Sequence, residues 1–457
     1  NSKAPEITFD KTPDSIDGKW LSSINEVPTS ITAEGTIRLR SATVTVDGHE
    51  VTGTVSGKSG AVSYNPPSDE GTHTITVKVV DRAGNVTERT FTYKVDKTAP
   101  EVTEFELVNP SYAPGKTLNG SDEYGLFVQG ATKVRVHATD AGSGVKSATL
   151  TYLSPSGTVT STDTQEFNGG YAEFDIPAGF KGYISATATD AVGNVSTANK
   201  PDGIVSTDSN TRVTPNALGI EVSSKEYVDG IVAGTRLYKD SISATLTASV
   251  PHAGIRSISW GYGDTVLGDS LDNVEVTAHD KNLTTGIKIP VTLSQEIGAT
   301  TLWLKVVDNA GNEATQSIPF AVDATVPTMD VSYSPAVSNE GYYNQAVTAT
   351  ITAHDNYLSS ESLALLGDNG VIERQTNDGQ GTWTYVVRFA DNKTYTPSYT
   401  VTDAVGHSVQ SNSGTSFTVD TVAPVANVSW NVSTPSNGNY YRVQRVATIT
   451  VVEENFD

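Results

Sequence analysis

The chain has no cysteine in 457 residues. That excludes a disulfide-stapled immunoglobulin domain, a zinc–thiolate site and a cysteine nucleophile, since each needs the thiol. No run of 18 apolar residues occurs, so no segment is long enough to cross a bilayer as a helix. Positive charge is scarce: 30 Lys and Arg stand against 52 Asp and Glu, a formal net charge of −22. A surface of that sign repels nucleic acid and anionic lipid and keeps a long chain soluble by self-repulsion. The seven histidines (His49, His73, His137, His252, His279, His354 and His407) share no metal-ligand spacing. His407 occupies a turn position and is expected at the surface. No Gly-x-Ser-x-Gly elbow or phosphate-binding glycine loop occurs either, which leaves nucleophilic and nucleotide chemistry without support. No secretory signal or wall anchor is visible, so any such element is expected outside this stretch.

What is present is repetition. The phrase Asp-x-Ala/Val-Gly-Asn/His appears as Asp81–Asn85, Asp190–Asn194, Asp308–Asn312 and Asp403–His407. Its spacing of about 100 residues is that of one small β-sandwich. Before each Asp, apolar residues fall at every second position: Ile75, Val77, Val79; Ile184, Ala186, Ala188; Leu302, Leu304, Val306; and Tyr399, Val401 after Pro397. That period places one face of a strand in a core. A second strand follows each glycine turn, as in Phe91–Val95, Ile318–Val322 and Ser416–Val419, and the two read as a closing hairpin. With 19 Tyr, 11 Phe and 5 Trp, each repeat has the side chains to fill a core.

The hairpins end in Val-Asp-x-Thr-x-Pro, at Val95–Pro100, Val322–Pro327 and Val419–Pro424. Proline fixes φ and donates no hydrogen bond, so these are short, semi-rigid joints. The second repeat has Ser206-Thr207-Asp208-Ser209-Asn210 instead, and more bending is expected there. An earlier strand also recurs: Gly144–Tyr152 aligns without gaps on Gly254–Tyr262, and Ser41–Val46 fits the same frame. Ala148, Leu150 and Tyr152, or Ile258, Trp260 and Tyr262, are expected to face the core, with Trp260 buried against the opposite sheet.

The expected organisation is all-β, a tandem array of immunoglobulin-like β-sandwiches in extended arrangement. Its divisions are 1–98, 99–212, 213–325 and 326–422, with 423–457 as the first strands of a fifth. Ser436–Tyr441 matches Ser338–Tyr343, and Thr448–Thr450 matches Thr350–Thr352 at the same offset. Ala4–Thr8 likewise repeats the joint Ala99–Thr103. Further modules are therefore expected before and after this stretch, because two strands cannot bury a face alone.

The turns, the joints and the Tyr-Tyr pairs at Tyr342 and Tyr440 together resemble the bacterial immunoglobulin-like repeats of large Gram-positive surface proteins. The resemblance implies export, an extracellular place on the cell surface or wall, and a role as adhesin, spacer or host-factor binder. The expected partner is a host extracellular protein or glycan, immunoglobulin among them, with no nucleic acid and no direct membrane insertion. The alternative is a non-catalytic accessory or spacer region of a large secreted enzyme. Modules two and three are the longest, and they are the candidates if one module carries a specialised loop.

The sequence supports no catalytic, cofactor-binding or metal residue, and the ligand-binding residues stay unassigned. Calcium is the one ion weighed, through Asp81, Asp190, Asp308 and Asp403 with Asp96, Asp323 and Asp420 at the joints. The simpler expectation is a hydrogen-bonded Asx turn in which glycine supplies positive φ. The carboxylate pairs Asp69-Glu70, Asp122-Glu123 and Glu453-Glu454 read as solvated loop charges rather than a glycosidase pair. Trp260, Trp303 and Trp383 read as core residues; Trp20 and Trp430 are left unassigned. No lysine recurs at one strand position, so a self-formed Lys–Asn crosslink is not expected.

Overall fold

The computed structural model describes residues 3–108, 126–200, 203–263, 273–274, 286–367, 370–411 and 415–455. The alternating residues form the strands that the pattern demands. Ile75, Val77 and Val79, and Leu302, Leu304 and Val306, are each 0% exposed. Full burial of such a side chain is worth about 1.5–3 kcal/mol, so three per strand hold the register against a one-residue slip, which would turn all of them to solvent.

Module one has two sheets. One runs Glu6–Phe9, Ser30–Glu34, Ser59–Ser63, Thr54–Ser56; the other runs Lys19–Leu21, Val86–Val95, Gly71–Asp81, Leu39–Val46, His49–Thr52. Lys19–Leu21 pairs in parallel with Val86–Val95, whereas the other neighbours are antiparallel. This is an immunoglobulin-like sandwich, in which the first strand is divided between the two sheets. The same parallel pairing recurs as Leu126–Gln129 with Ile204–Thr207, Thr235–Lys239 with Glu313–Asp323, and Gly341–Tyr343 with Phe417–Val419. Each module encloses its own hydrophobic core, between two sheets in modules one to three and among three in module four. Val425–Trp430 and Ala447–Val452 form an antiparallel pair, as Thr328–Ser334 and Val347–His354 do in module four.

The modules depart from one another where the sequence does. In module four the closing hairpin is split around Pro397: Lys393–Tyr395 pairs with Phe417–Val419, and Ser398–Thr402 pairs with Ser408–Gln410. A proline has no N–H to give the ladder, so pairing stops and resumes beyond it. Module three adds the strand Tyr227–Val232 outside Thr235–Lys239. The tryptophans pack as expected in kind but not in place. Trp303 is 0% exposed, on the face opposite Leu302 and Leu304, whereas Trp260 is only partly buried against the module-three core. Trp383 packs partly against the module-four core. Lys94 sits 5.3 Å above the Trp20 ring and Arg445 3.9 Å above that of Trp430.

One ion pair, between a buried histidine and an exposed aspartate, makes module one sensitive to pH. His73 is 6% exposed; its Nδ1 lies 2.7 Å from Asp47 Oδ2 and its Nε2 2.9 Å from the Asp69 carbonyl. Burial alone lowers the His73 pKa, but the bonds to Asp47 and Asp69 and the Asp47 charge outweigh it and raise it above 6.5. Burial likewise raises Asp47, but His73 and the Thr74 N–H bring it below 3.8. A raised histidine contributes stability fully below its unfolded value and loses it as pH climbs through the folded one. A lowered carboxylate contributes above its unfolded value and loses this as pH falls. The pair therefore stabilises most between those two values. Amides of Gly71–Asp81, corrected for intrinsic exchange, are expected to be better protected at about pH 5.5 than at about pH 8.5. His73→Gln is expected to flatten that difference.

Candidate functional site at the module joints

Each turn is closed by its own aspartate. Asp190 Oδ1 accepts the N–H groups of Val192, Gly193 and Asn194 at 3.0, 2.6 and 2.8 Å. Asp403 Oδ1 accepts those of Val405, Gly406 and His407 at 2.9, 2.7 and 2.9 Å. Asp81 and Asp308 hold Asn85 N and Asn312 N in the same way, at 2.9 and 2.8 Å. The glycines have φ of 88°, 96°, 83° and 95°, a region that costs a side chain but not glycine. The last residue turns back on the carboxylate: the amides of Asn85, Asn194 and Asn312 lie 2.8, 2.7 and 2.8 Å from the second oxygen. The Asx reading of the motif holds at all four turns. All four aspartates are at most 7% exposed.

The turns of modules two, three and four also meet the joint that precedes their own module. At the first joint, Asn194 Nδ2 donates to the Asp96 and Thr98 carbonyls at 3.2 and 3.4 Å. Asp96, 2% exposed, accepts the Ser143 N–H of module two at 2.6 Å. A Cβ on Gly142 would lie 2.4 Å from the Asp96 carboxyl carbon, so only glycine fits there. Asp96, Asp140 and Asp190 bring carboxylate oxygens within 4.8 Å of one another. Glu70 Oε1 holds the other side of the joint, accepting from Lys97 N at 2.8 Å and Thr98 Oγ1 at 2.6 Å. Glu70 is exposed in its bend, as read from the sequence, and in addition holds the joint. Glu296 and Asn392 do the same at the later joints, accepting from Ala324 N and Thr421 N at 2.8 and 2.9 Å. Asp122-Glu123 and His279 lie outside the described residues.

The second joint is packed where bending was expected. Phe127 and Val205 of module two bury against Ala253 and Ala310 of module three, with Tyr183 beside them. His252 Nε2 lies 2.7 Å from the Ser206 carbonyl, and Lys181 Nζ donates to the His252 carbonyl at 2.8 Å. Thr207 replaces the joint aspartate and takes a bond from Asn312 Nδ2 at 3.3 Å. The loose wording of the sequence here marks a change from charged to apolar contact, and the missing proline misled the expectation.

The third joint is the most acidic. Asp323, Asp355 and Asp403 are 0%, 5% and 7% exposed. Burial, with the charges of Asp355, Asp403 and Glu296, pushes Asp323 up to about 6 against the Thr325 N–H. Burial and Asp403 raise Asp355 as well. At the first joint the balance is reversed: burial would raise Asp96, but the Ser143 and Thr98 donors outweigh it and lower it. His407 is 9% exposed. It belongs to this joint, a correction to its expected place at the surface.

Of the aspartates weighed for calcium, the fold unites Asp190 with Asp96 and Asp403 with Asp323. Asp308 holds Asn312, whose Nδ2 reaches Thr207; Asp420 bonds Asn455 Nδ2 at 2.9 Å, and Asp81 closes the far end of module one. The first joint offers only oxygen donors, the type a hard cation takes, and Asp140 Oδ1 has no hydrogen-bond partner. Asp96, Asp140 and Asp190 are the residues that would hold such an ion, which wants six to eight oxygens. Asp140, Asp355 and Asp240 escaped the sequence reading. A signal for two of them was present: Asp140 and Asp355 both follow the second strand of the first sheet, and Glu453 lies 98 positions after Asp355.

Module three also carries a cleft of ≈ 750 Å³ beside its extra strand, lined by Ile220, Val222, Val232, Arg236, Tyr238 and Ile318. Arg236 stacks 4.4 Å above the Tyr227 ring.

Repeated two-sheet sandwiches with structured joints define a tandem immunoglobulin-like protein. Residues 3–97 and 99–199 match two family models, each described as a bacterial Ig-like domain. Residues 3–199 thus carry two bacterial Ig-like domains. No curated protein matches it. Among solved structures it is similar to a tetra-tandem repeat in the extending region of a large adhesion protein, with 14% identity and a TM-score of 0.32 over 92% of this chain and 100% of that one. It is also similar to the fibronectin(III)-like modules of Clostridium thermocellum CbhA, with 13% identity and a TM-score of 0.22 over 46% and 97%. Sidekick-1 immunoglobulin domains 1–4 match with 12% identity and a TM-score of 0.24 over 91% and 99%. Ig-like repeats of this kind are typically non-catalytic, and among the described residues no helix is long and apolar enough to cross a membrane.

Proposed function

We propose that the chain is a stalk segment of an extracellular bacterial adhesin, and that module three presents its cleft to a host extracellular protein or glycan, immunoglobulin among the candidates. The observation that carries the stalk reading is the seating of three turns on the preceding module ends, which ties consecutive modules through part-buried hydrogen bonds rather than through a bare linker. The net charge of −22 supports it, since self-repulsion favours extension. The extra strand and cleft support the choice of module three, because sandwich proteins recognise ligands with surfaces added to a rigid scaffold.

Two measurements test the two parts separately. Dyes placed on modules two and three should show one narrow distance distribution, broadened by Ala253→Glu, which puts a charge into the apolar contact. A broad distribution in the unaltered chain would overturn the stalk. The immobilised chain, probed with host secretory proteins, immunoglobulins and a glycan panel, should bind one of them saturably and lose it when module three is deleted. No binding, or binding that survives this deletion, would overturn the recognition role and leave a spacer.

A further inference from the structure

The fourth turn differs from the others in one functional residue: His407 stands where Asn85, Asn194 and Asn312 stand. Its imidazole is enclosed by carboxylates from two modules. Nδ1 lies 3.0 Å from Asp403 Oδ2 and 3.9 Å from Asp323 Oδ1, and Nε2 lies 2.8 Å from Asp240 Oδ1. Asp323 is 0% exposed, and its Oδ2, among these groups, has no hydrogen-bond partner. A buried carboxylate oxygen without a donor is costly and calls for a positive partner. Asp355 adds further negative charge, held by Tyr357 N at 2.8 Å and Thr325 Oγ1 at 3.2 Å. Lys239 reaches the Gly406 carbonyl at 3.4 Å.

We propose that the joint between modules three and four binds a divalent cation of the zinc class through His407 Nδ1, Asp403 Oδ2 and Asp323. The inference goes beyond the stalk reading and stands whether or not any host ligand exists.

The distances suit such an ion. Tetrahedral bonds of about 2.0–2.1 Å separate neighbouring ligand atoms by about 3.3 Å, and the two nitrogen–oxygen distances of 3.0 and 3.9 Å bracket that value. Asp240 supplies the supporting contact that metal-bound histidines use: a carboxylate on the other ring nitrogen fixes the tautomer and aims Nδ1 at the ion. Its position is built into the fold. Asp240 adopts φ of 60°, and its N–H donates to the Asp323 carbonyl at 2.8 Å, so the supporting residue and a ligand share one backbone contact. Charge also closes: two carboxylates neutralise the dication, and the proton on Nδ1 leaves to solvent as the metal–nitrogen bond forms. An imidazole with a small carboxylate set favours zinc or cobalt over calcium, which requires six to eight oxygens. The three turns that end in asparagine offer only an amide nitrogen, which donates a hydrogen bond and has no lone pair for a metal.

The test uses the untagged full chain, stripped with a chelator and titrated with Zn2+ against a colorimetric competitor. One saturable site per chain is expected, weakened by about 10–100-fold in Asp240→Asn, as loss of a supporting carboxylate does. His407→Asn is expected to abolish it, and His137→Gln to leave it unchanged. Co2+ should give the visible spectrum of a four-coordinate ion, and a hundredfold excess of Ca2+ should not displace it. Absence of saturable Zn2+ binding, or binding retained by His407→Asn, would overturn the proposal. Displacement by Ca2+ would overturn the zinc class. Asparagine is the residue of the sister turns, so His407→Asn should fold; if circular dichroism shows otherwise, Asp240→Asn decides on affinity alone.

Discussion

Phe417→Ala is expected to destabilise module four by about 3–5 kcal/mol, the usual range for a buried phenylalanine removed from a core. Phe417 is 0% exposed and sits among four aromatic rings, with centroids 6.0 Å from Tyr333, 6.0 Å from Tyr343, 5.5 Å from Phe389 and 5.7 Å from Tyr395. Tyr333 and Phe389 come from one sheet, and Tyr343 and Tyr395 from the sheet that Phe417 itself joins. Its backbone also pairs in parallel with Gly341 and antiparallel with Tyr395. The four rings cannot close the void without breaking those ladders. Thermal unfolding with tryptophan fluorescence checks the result, because Trp383 packs on the same core. Module four should melt early while the others keep their transition. A loss below about 1 kcal/mol would mean that the aromatic cluster is not packed in this way.

Asp308→Ala is expected to have the next largest effect, about 3 kcal/mol in module three, and to loosen the second joint. Asp308 is 0% exposed. Its carboxylate holds Asn312 N and Nδ2 at 2.8 Å each and Val213 N at 3.4 Å. Burial raises its pKa despite those donors, so part of the loss is offset by removing a costly charge. The stranded donors outweigh that gain, because each buried N–H left unpaired costs about 1–3 kcal/mol. Asn312, released, no longer reaches Thr207, and that hydrogen bond to module two is lost while the apolar contact stays. Asp308→Asn keeps one acceptor oxygen and should cost less. Urea unfolding of both variants gives the ordering; equal losses would show that one acceptor oxygen rescues nothing and that the turn needs the whole carboxylate.

Which features were legible follows from the range of the interactions that make them. The sandwich strands, the closing hairpins and the Asx turns are local, and local patterns carry them. Ile75, Val77 and Val79 have only one way to share a face, and Gly84, Gly193, Gly311 and Gly406 mark the positive φ that the aspartate turn requires. The all-β class and the tandem repeat therefore stood in the sequence alone, as did the absence of thiol chemistry. In module four the expected pairing of the Tyr399 strand with Ser416–Val419 did not hold, because Pro397 splits the hairpin and Ser398–Thr402 pairs with Ser408–Gln410 instead.

The joints were decided only in three dimensions. Asp96 and Asp190, or Asp240, Asp323 and His407, are far apart in the chain and meet because each module's turn lands on the end of the module before it. No period in the sequence encodes that meeting, since it depends on how two finished sandwiches abut. The second joint shows the same limit in reverse: its missing proline suggested slack, while Phe127, Val205, Ala253 and Ala310 close it by apolar burial. His407 looked like a surface turn residue for the same reason. Its enclosure is set by Asp240 and Asp323 of module three, and a sequence lays out the residues of one module without the wall that its neighbour supplies.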